Sequence, residues 1–169
     1  MKWRDIPQFT PDAAWHADFP LFKDFIWWIT DEIYAGLQLN PDFQRGHVWT
    51  TEQQESYIEF ILMGGKTGKN FYFNAPNWPE IREGDNYVCV DGLQRITAIQ
   101  RFHNNEIKAF GNYHKDFTGP VRLDQWVSVY INNLKTRKDV LKWYIEMNSG
   151  GTPHTKEELE RVKQLLLDC

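Results

Sequence analysis

The chain has 169 residues, of which 41% are hydrophobic and 15% are aromatic. These proportions exclude an intrinsically disordered protein, because chains that cannot form a core are poor in aromatic and β-branched residues. The formal net charge of −4 argues against strong unaided binding to nucleic acid or to an acidic membrane, although a local basic groove stays compatible with it. Since compact domains most often contain ~100–150 residues, we expect one folded domain.

Targeting signals and metal-ligand patterns are both missing from the sequence. The N-terminus leads into no apolar run of the signal-peptide kind, and no apolar stretch approaches the ~20 residues that a membrane helix needs. Cys89 and Cys169 lack metal-ligand spacing, and Cys89 lies in an apolar run typical of the core. We therefore expect a cytoplasmic protein with no membrane contact and no metal-binding residue cluster.

The first half of the chain alternates between irregular and periodic segments. Residues 1–20 contain three prolines, which predicts an irregular N-terminal arm held in place by its aromatic side chains: Trp3, Phe9, Trp15 and Phe19. Apolar residues then recur at the spacing of one helix face, which predicts a helix over about 21–37. Thr51 and Gln54 fit a capping box, so a second helix is expected from there to about Met63.

The second half of the chain predicts a small sheet and three further helices. Strands are expected at 71–73, 87–90 and 126–131, and Glu106 to Phe110 is compatible with another. Helices are expected over about 93–102, over 136–147, and after a capping pair formed by Thr155 and Glu158. The domain that follows the 1–20 arm, residues 21–169, is therefore predicted to be α+β, with a small mixed sheet and flanking helices.

The strongest local feature is a buried strand that ends in Asp91-Gly92 and turns at once into a helix. The first N–H groups of a helix have no intrahelical partner and its N-terminus carries partial positive charge, so a phosphate can be held there. Gly92 permits close approach of the backbone, and Arg95 can add bidentate hydrogen bonds. A plain turn, with Asp91 as the N-cap and Arg95 on a solvated face, explains the same residues equally well.

Two further segments could recognise an anion. Gln44 and Arg45 pair an amide with a guanidinium, which together can bind a carboxylate, a phosphate or a base edge. The loop at 148–152, Asn-Ser-Gly-Gly-Thr, can expose backbone N–H groups as an anion-binding nest does. A surface arginine beside a core aromatic, and a helix C-cap leading into the next N-cap, are the alternatives.

A nuclease interpretation rests on a looser pattern. Asp91 with Glu106 and Lys108 resembles the D…E-x-K arrangement in which carboxylates hold catalytic Mg²⁺. Such spacings arise easily by chance, so this interpretation ranks behind the others.

Three segments follow one another along the chain: Asp-Phe-Gln-Arg-x-x-Val-Trp, Val-Asp-Gly-Leu-Gln-Arg-Ile-Thr and Asn-Ser-Gly-Gly-Thr-Pro. Together they resemble the N-terminal domain of GmrSD-type restriction endonucleases, and the resemblance covers about residues 22–165. That resemblance implies a fold related to ParB and sulfiredoxin. It also implies binding and hydrolysis of a nucleoside triphosphate (GTP, ATP or CTP) with Mg²⁺ at the strand–helix turn.

Carried over residue by residue, the resemblance assigns catalytic roles to Asp91 and Arg95. The nucleotide-binding residues that it implies are Gln44, Arg45, Gly92, Gln94, Thr97, Asn148, Gly150 and Gly151. Leu93 stands where the family motif has its first glutamine, so the role of that amide is not carried over.

Full-length members of the family continue into an HNH nuclease domain that this sequence lacks, so we expect no self-contained nuclease. The leading expectation is an NTP-hydrolysing domain linked to DNA restriction, in defence or counter-defence, acting with a nuclease partner subunit or as a homo-oligomer. The alternative is a non-catalytic module that contacts DNA with a partner and stacks Trp49 or Trp78 on a base.

Overall fold

The computed structural model describes residues 2, 6, 15–82, 84–120, 125–149 and 156–168, without the side chains of 149 and 156–159. Four strands form in chain order: β1 (Trp15–Pro20), β2 (Asn70–Asn74), β3 (Val88–Asp91) and β4 (Trp126–Asn132). Five helices accompany them: α1 (Ile26–Tyr34), α2 (Thr51–Leu62), α3 (Leu93–His103), α4 (Arg137–Ser149) and α5 (Lys156–Leu167). A π-helical turn, Leu21–Phe25, leads into α1.

The strands make one mixed sheet in the order β1-β4-β2-β3. β4 pairs antiparallel with β1 and parallel with β2, and β2 pairs antiparallel with β3. A register shift between Tyr72 and Phe73 places Tyr72 opposite Asp91, at the end of β3. The prediction of an α+β domain with a small mixed sheet and flanking helices is confirmed.

The sheet separates two hydrophobic cores, because successive strand residues point to opposite faces. The larger core joins the sheet to α1, α2 and α3, and its fully buried members include Phe25, Ile61, Phe71, Ile99 and Val129. The smaller core joins β3 to α4 and α5 through Val88, Val90, Leu141, Tyr144 and Val162. Cys89 belongs to the larger core, as expected.

The N-terminal prediction is wrong over its last six residues. Trp15–Pro20 is not irregular but pairs with β4 along its whole length. The aromatic contacts expected of this segment are confirmed, since Trp15 and Phe19 both pack on Trp28, with ring centroids 6.4 and 5.4 Å apart. Trp3 and Phe9 lie outside the described residues.

Two other local predictions need correction. The capping box of α2 uses Thr50 and Gln53, one residue earlier than predicted: the Thr50 N–H donates to Gln53 Oε1 and the Gln53 N–H to Thr50 Oγ1. Glu106 to Phe110 forms no strand, because its pairing is limited to a single bridge between Ala109 and Asn112. The predicted cap at Thr155 lies outside the described residues.

Candidate functional site

The turn from β3 into α3 requires glycine. Gly92 has φ +137°, in the region that side chains rarely adopt, and a Cβ there would lie 2.7 Å from the Phe71 ring. Gly92 itself is the N-cap of α3 and no side chain caps the helix, so the interpretation of Asp91 as the N-cap is wrong. Gly92 therefore supplies no side-chain cap to the N-terminal N–H groups of α3, and the first of them, that of Leu93, donates to the buried Cys89 thiol.

Arg95 is a fixed part of this turn. Its guanidinium donates to the Asp91 carboxylate at 2.8 Å and to the Asn70 carbonyl at 2.9 Å. It also lies 5.2 Å from the centroid of the Phe71 ring, in cation–π range. The Arg95 side chain is only 15% exposed, whereas that of Asp91 is 43% exposed. The interpretation of Arg95 as a solvated surface residue is therefore wrong.

Two glutamine amides hold the segment before α2 against the turn. Gln44 Nε2 donates to the carbonyls of Cys89 and Val90, at 3.0 and 3.2 Å. Gln94 Oε1 accepts from the N–H groups of Val48 and Trp49, and its Nε2 donates to the Gly46 carbonyl at 2.6 Å. These bonds place Arg45, which lies between the two anchored stretches, at the turn.

A cavity of about 120 Å³ opens where these elements meet. Its walls include seven of the ten residues proposed from sequence: Gln44, Arg45, Asp91, Gly92, Gln94, Arg95 and Asn148. We call this the turn pocket. Thr97 does not line it, and its hydroxyl donates instead to the Leu93 carbonyl within α3 at 2.8 Å. Gly150 and Gly151 lie outside the described residues.

Asn148 and Tyr144 close the pocket from α4. The Asn148 side chain donates to the Tyr144 carbonyl at 2.8 Å, which leaves its other amide atom for different contacts. The Tyr144 ring meets Phe43 edge-on, with centroids 5.1 Å apart. The third sequence segment therefore reaches the same cavity as the first two.

Arg161 on α5 was not singled out from sequence, although it helps to build the site. Its guanidinium donates to the carbonyls of Asp42, Phe43 and Gln44, at 2.8–3.2 Å. Arg137 holds the Asp42 carboxylate at 2.7 Å, and this hydrogen bond lowers the pKa of Asp42. No sequence signal could have identified Arg161, because its partners are backbone carbonyls more than one hundred residues away.

Burial sets the chemistry of the groups beneath the turn. It raises the pKa of the Cys89 thiol and of the Tyr57 hydroxyl well above their ordinary values. Tyr57 donates its hydroxyl to the Gly68 carbonyl at 2.8 Å. Both groups therefore stay protonated at neutral pH and support the turn without titrating.

The nuclease pattern is not assembled. Asp91 precedes the N-terminus of α3 and Glu106 follows its C-terminus, so a helix about 16 Å long, 11 residues, separates them. Glu106 pairs with Arg101 instead, and Lys108 lies over the Tyr113 ring. Within the described residues, no three His, Cys, Asp or Glu side chains gather to hold a metal ion.

The two tryptophans proposed from sequence to stack on a base lie in different settings. Trp78 packs on Trp15 at 5.1 Å and Tyr87 at 6.5 Å, within the aromatic edge of the larger core. Trp49 meets Tyr57 edge-on, lines the turn pocket, and also lines an open depression of about 380 Å³ with Glu52, Gln53 and Ser56. Trp49 is therefore the one beside the candidate site.

The fold and this pocket define an α+β domain with a small polar-lined cavity at a strand–helix turn. A family profile described as "GmrSD restriction endonuclease, N-terminal domain" matches residues 29–125, more than half of the chain. The chain belongs to this family, which links it to restriction. The match includes Gln44, Arg45 and the 91–95 turn and ends before Asn148.

Searches of curated proteins and of solved structures gave no match. The relation to ParB and sulfiredoxin therefore stays a prediction, with which the observed α+β fold is compatible. Among the described helices, none has the length and apolar character needed to cross a bilayer.

Proposed function

We propose that this chain binds a nucleoside triphosphate in the turn pocket and hydrolyses it in a restriction system. The observation that carries the proposal is the convergence of the α3 N-terminus, Arg45 and Arg95 on one small cavity. Helix N-termini attract anions through free N–H groups and the helix dipole, and arginine matches phosphate oxygens with paired donors. A phosphate group can bind all three at once.

The size of the turn pocket supports phosphate as the group it holds. At about 120 Å³ it admits phosphate groups, but it is well below the ~300–1,000 Å³ of sites that enclose a whole small-molecule ligand. The base and sugar would lie outside it, along Trp49 and in the adjoining 380 Å³ depression. Gln53 and Glu52 line that depression and could contact the base edge.

Each proposed residue has a distinct task in this arrangement. Arg95 and Arg45 would neutralise phosphate charge, while Gln44 and Gln94 hold the segment that carries Arg45. Arg95 is already fixed by Asp91, Asn70 and Phe71, so little side-chain entropy is lost when a phosphate arrives. Asn148 would complete the wall opposite α3.

Hydrolysis needs a metal and an oriented water. A bound Mg²⁺ would neutralise charge that develops in the transition state, since phosphoryl transfer depends mainly on positioning and electrostatics. The partly exposed Asp91 carboxylate fits contact with that ion or with the attacking water. The water oxygen bonds to the γ-phosphorus, the bond to the β–γ bridging oxygen breaks, and nucleoside diphosphate and phosphate leave.

The link to restriction supports a role in which nucleotide turnover controls DNA cleavage by a nuclease. That nuclease activity would be supplied by a partner subunit or by a homo-oligomeric assembly.

Thermal unfolding with ATP, GTP, CTP or UTP and Mg²⁺ tests the proposal. At a nucleotide concentration ten times Kd, the folded state gains about 1.4 kcal/mol, which raises the Tm of a domain of this size by about 3–6 °C. Arg95→Ala should abolish the shift, whereas Arg82→Ala should keep it, because the Arg82 side chain is exposed and lies 3.8 Å from the Glu80 carboxylate, away from the turn pocket. The proposal is wrong if no nucleotide stabilises the wild type or if a folded Arg95→Ala variant responds equally.

A further inference from the structure

The open depression beside the turn pocket combines one aromatic ring with three polar side chains. Trp49, Glu52, Gln53 and Ser56 line it, and its volume of about 380 Å³ lies within the range of sites that hold small organic ligands. We call it the Trp49 depression. Trp49 also lines the turn pocket, so the two cavities share a wall. A ligand with its phosphates in the turn pocket can therefore extend along Trp49 into this depression.

Trp49 is held in place by three contacts. Its backbone N–H donates to Gln94 Oε1 at 3.1 Å, and its carbonyl accepts from Gln54 Nε2 at 3.0 Å. Its ring meets the buried Tyr57 ring edge-on, with centroids 5.4 Å apart. Trp49 thus offers a fixed, half-buried aromatic surface of the kind on which nucleobases stack. Because every base has an aromatic face, stacking alone selects none of them.

Three exposed side chains of α2 can contact the edge of a base: Glu52, Gln53 and Ser56. Glu52 and Ser56 are four residues apart, so they lie on the same face of the helix. The Thr50 hydroxyl and the Glu52 backbone N–H lower the pKa of the Glu52 carboxyl, which is therefore ionised at neutral pH. An ionised carboxylate only accepts hydrogen bonds, and its two oxygens can take two parallel N–H groups.

Gln53 has a fixed amide orientation. Its Oε1 accepts from the Thr50 N–H at 2.9 Å within the capping box, and this bond determines which amide atom is the oxygen. Nε2 is therefore the atom that Gln53 can offer to a ligand, and it only donates. The depression thus presents a carboxylate acceptor and an amide donor from consecutive residues of α2.

Guanine is the nucleobase whose edge matches this pair of groups. Its N1–H and 2-amino groups are adjacent donors for a carboxylate, and its O6 beside them is an acceptor for an amide N–H. Adenine and cytosine present one amino donor next to a ring-nitrogen acceptor, which a carboxylate repels. Uracil presents a single N–H between two carbonyl oxygens, so one carboxylate oxygen again meets an acceptor. Such repulsion contributes to specificity together with the favourable contacts.

We propose that the Trp49 depression selects guanine: Glu52 accepts from N1–H and the 2-amino group, Gln53 Nε2 donates to O6, and the ring stacks on Trp49. This inference rests on the proposed function, because phosphates held in the turn pocket are what bring the base to the depression. The nucleotide of this chain is then a guanosine nucleotide. Since the polar side chains are exposed to water, we expect a preference of about tenfold over the other bases.

Titration calorimetry of the full chain with Mg²⁺ and four triphosphates tests the proposal. The probes are GTP, ATP, inosine triphosphate, which lacks the 2-amino group, and xanthosine triphosphate, which has a carbonyl oxygen in its place. GTP should bind about tenfold more tightly than ATP and inosine triphosphate. Xanthosine triphosphate should bind most weakly, because its 2-carbonyl oxygen meets the Glu52 carboxylate.

Glu52→Gln should produce a gain of binding that a folding defect cannot imitate. The amide can donate to the 2-carbonyl of xanthine, so the variant should bind xanthosine triphosphate about tenfold more tightly than the wild type does, while its affinity for GTP falls about tenfold. Glu80→Gln removes an exposed carboxylate that lines neither cavity, and it should leave all four affinities unchanged.

The outcomes separate this proposal from the one on which it rests. Equal affinities for GTP, ATP and inosine triphosphate, or a Glu52→Gln variant that keeps the wild-type preference, would overturn guanine selection and leave phosphate binding in the turn pocket standing. Failure of all four triphosphates to bind would overturn both.

Discussion

Replacing Gly92 with alanine is the most direct structural probe of the turn that forms the candidate site. The new Cβ would meet two separate penalties. Backbone with φ +137° is strained for any side chain, and the Cβ would lie 2.7 Å from the Phe71 ring. Phe71 cannot easily move away, because it is fully buried, stacks on Phe25 at 4.8 Å, and lies beneath the Arg95 guanidinium.

A matched control separates these penalties. Gly36 also has a positive φ, +105°, but a Cβ there meets nothing within 4 Å. Gly36→Ala should therefore cost only the backbone strain, about 1 kcal/mol. Gly92→Ala adds the cost of overpacking against Phe71, about 1–3 kcal/mol, for a total of about 3 kcal/mol. Urea unfolding measures both as changes in the midpoint at unchanged m-value.

The two variants should thus differ by more than 1 kcal/mol in their free energy of unfolding. A Phe71→Leu replacement, which frees space at the ring edge, should reduce the cost of Gly92→Ala in a double-mutant cycle. If Gly92→Ala and Gly36→Ala destabilise equally, the packing of the turn against Phe71 is not rigid, and our description of a preformed phosphate pocket is wrong.

Three further predictions concern Gln94 and Arg161, which hold the segment beside the turn pocket, and His114, which follows α3. Gln94→Ala removes three hydrogen bonds to the 46–49 segment, so it should lower the free energy of unfolding by about 1–2 kcal/mol. Amide hydrogen exchange at Val48 and Trp49 should be faster in this variant but unchanged in Gln100→Ala, a control on the same helix. Arg161→Ala should lower the free energy of unfolding by about 1 kcal/mol and weaken nucleotide binding, because the segment that carries Gln44 and Arg45 loses its hydrogen bonds to α5. Lys163→Ala on the same helix should change only the stability, by less than about 1 kcal/mol. Burial and the neighbouring His103 lower the pKa of His114 in the folded chain below its usual ~6.5, so the unfolded chain binds the proton first as the pH falls. The stability present above pH ~6.5 should therefore decline between pH 7.5 and 5.5, and the decline should be smaller in His114→Gln; an identical slope in both proteins would contradict this assignment.

Periodicity in the sequence was enough to predict the elements that carry the turn pocket. The run from Tyr87 to Phe102 contains a strand, a glycine turn and a helix face within sixteen residues, so local pattern and final structure agree. The three motifs were also expected to act together, and residues from each of them line one cavity.

Tertiary contacts decided the features that the sequence could not predict. Trp15–Pro20 ends in proline and lacks a helix period, and only its pairing with β4, about 110 residues away, makes it a strand. Thr50-x-x-Gln53 and Thr51-x-x-Gln54 fit the capping box equally well as sequences. The structure uses the first pair, because Gln54 is buried and joins the Trp49 carbonyl to Arg101.

Tertiary contacts also explain why the sequence predicted the wrong role for Asp91 and did not indicate Arg161. Asp91 has the right side chain and position for an N-cap, but Arg95 holds its carboxylate instead. The contribution of Arg161 depends on α5 packing beside 42–44, which no local pattern encodes. Roles for Gln44 and Gln94 in nucleotide binding stay predictions. In the folded chain, their side chains join the segment before α2 to the 89–94 turn through hydrogen bonds to backbone groups.

Phosphate binding at the N-terminus of α3 can be tested by amide chemical-shift mapping with a nucleoside triphosphate and Mg²⁺. The largest changes should fall on the amides of residues 92–95, with smaller changes at Arg45 and Asn148. These changes should disappear in Arg95→Ala. If a nucleotide binds while the amide shifts of residues 92–95 do not change, the phosphates lie elsewhere and the proposed site is wrong.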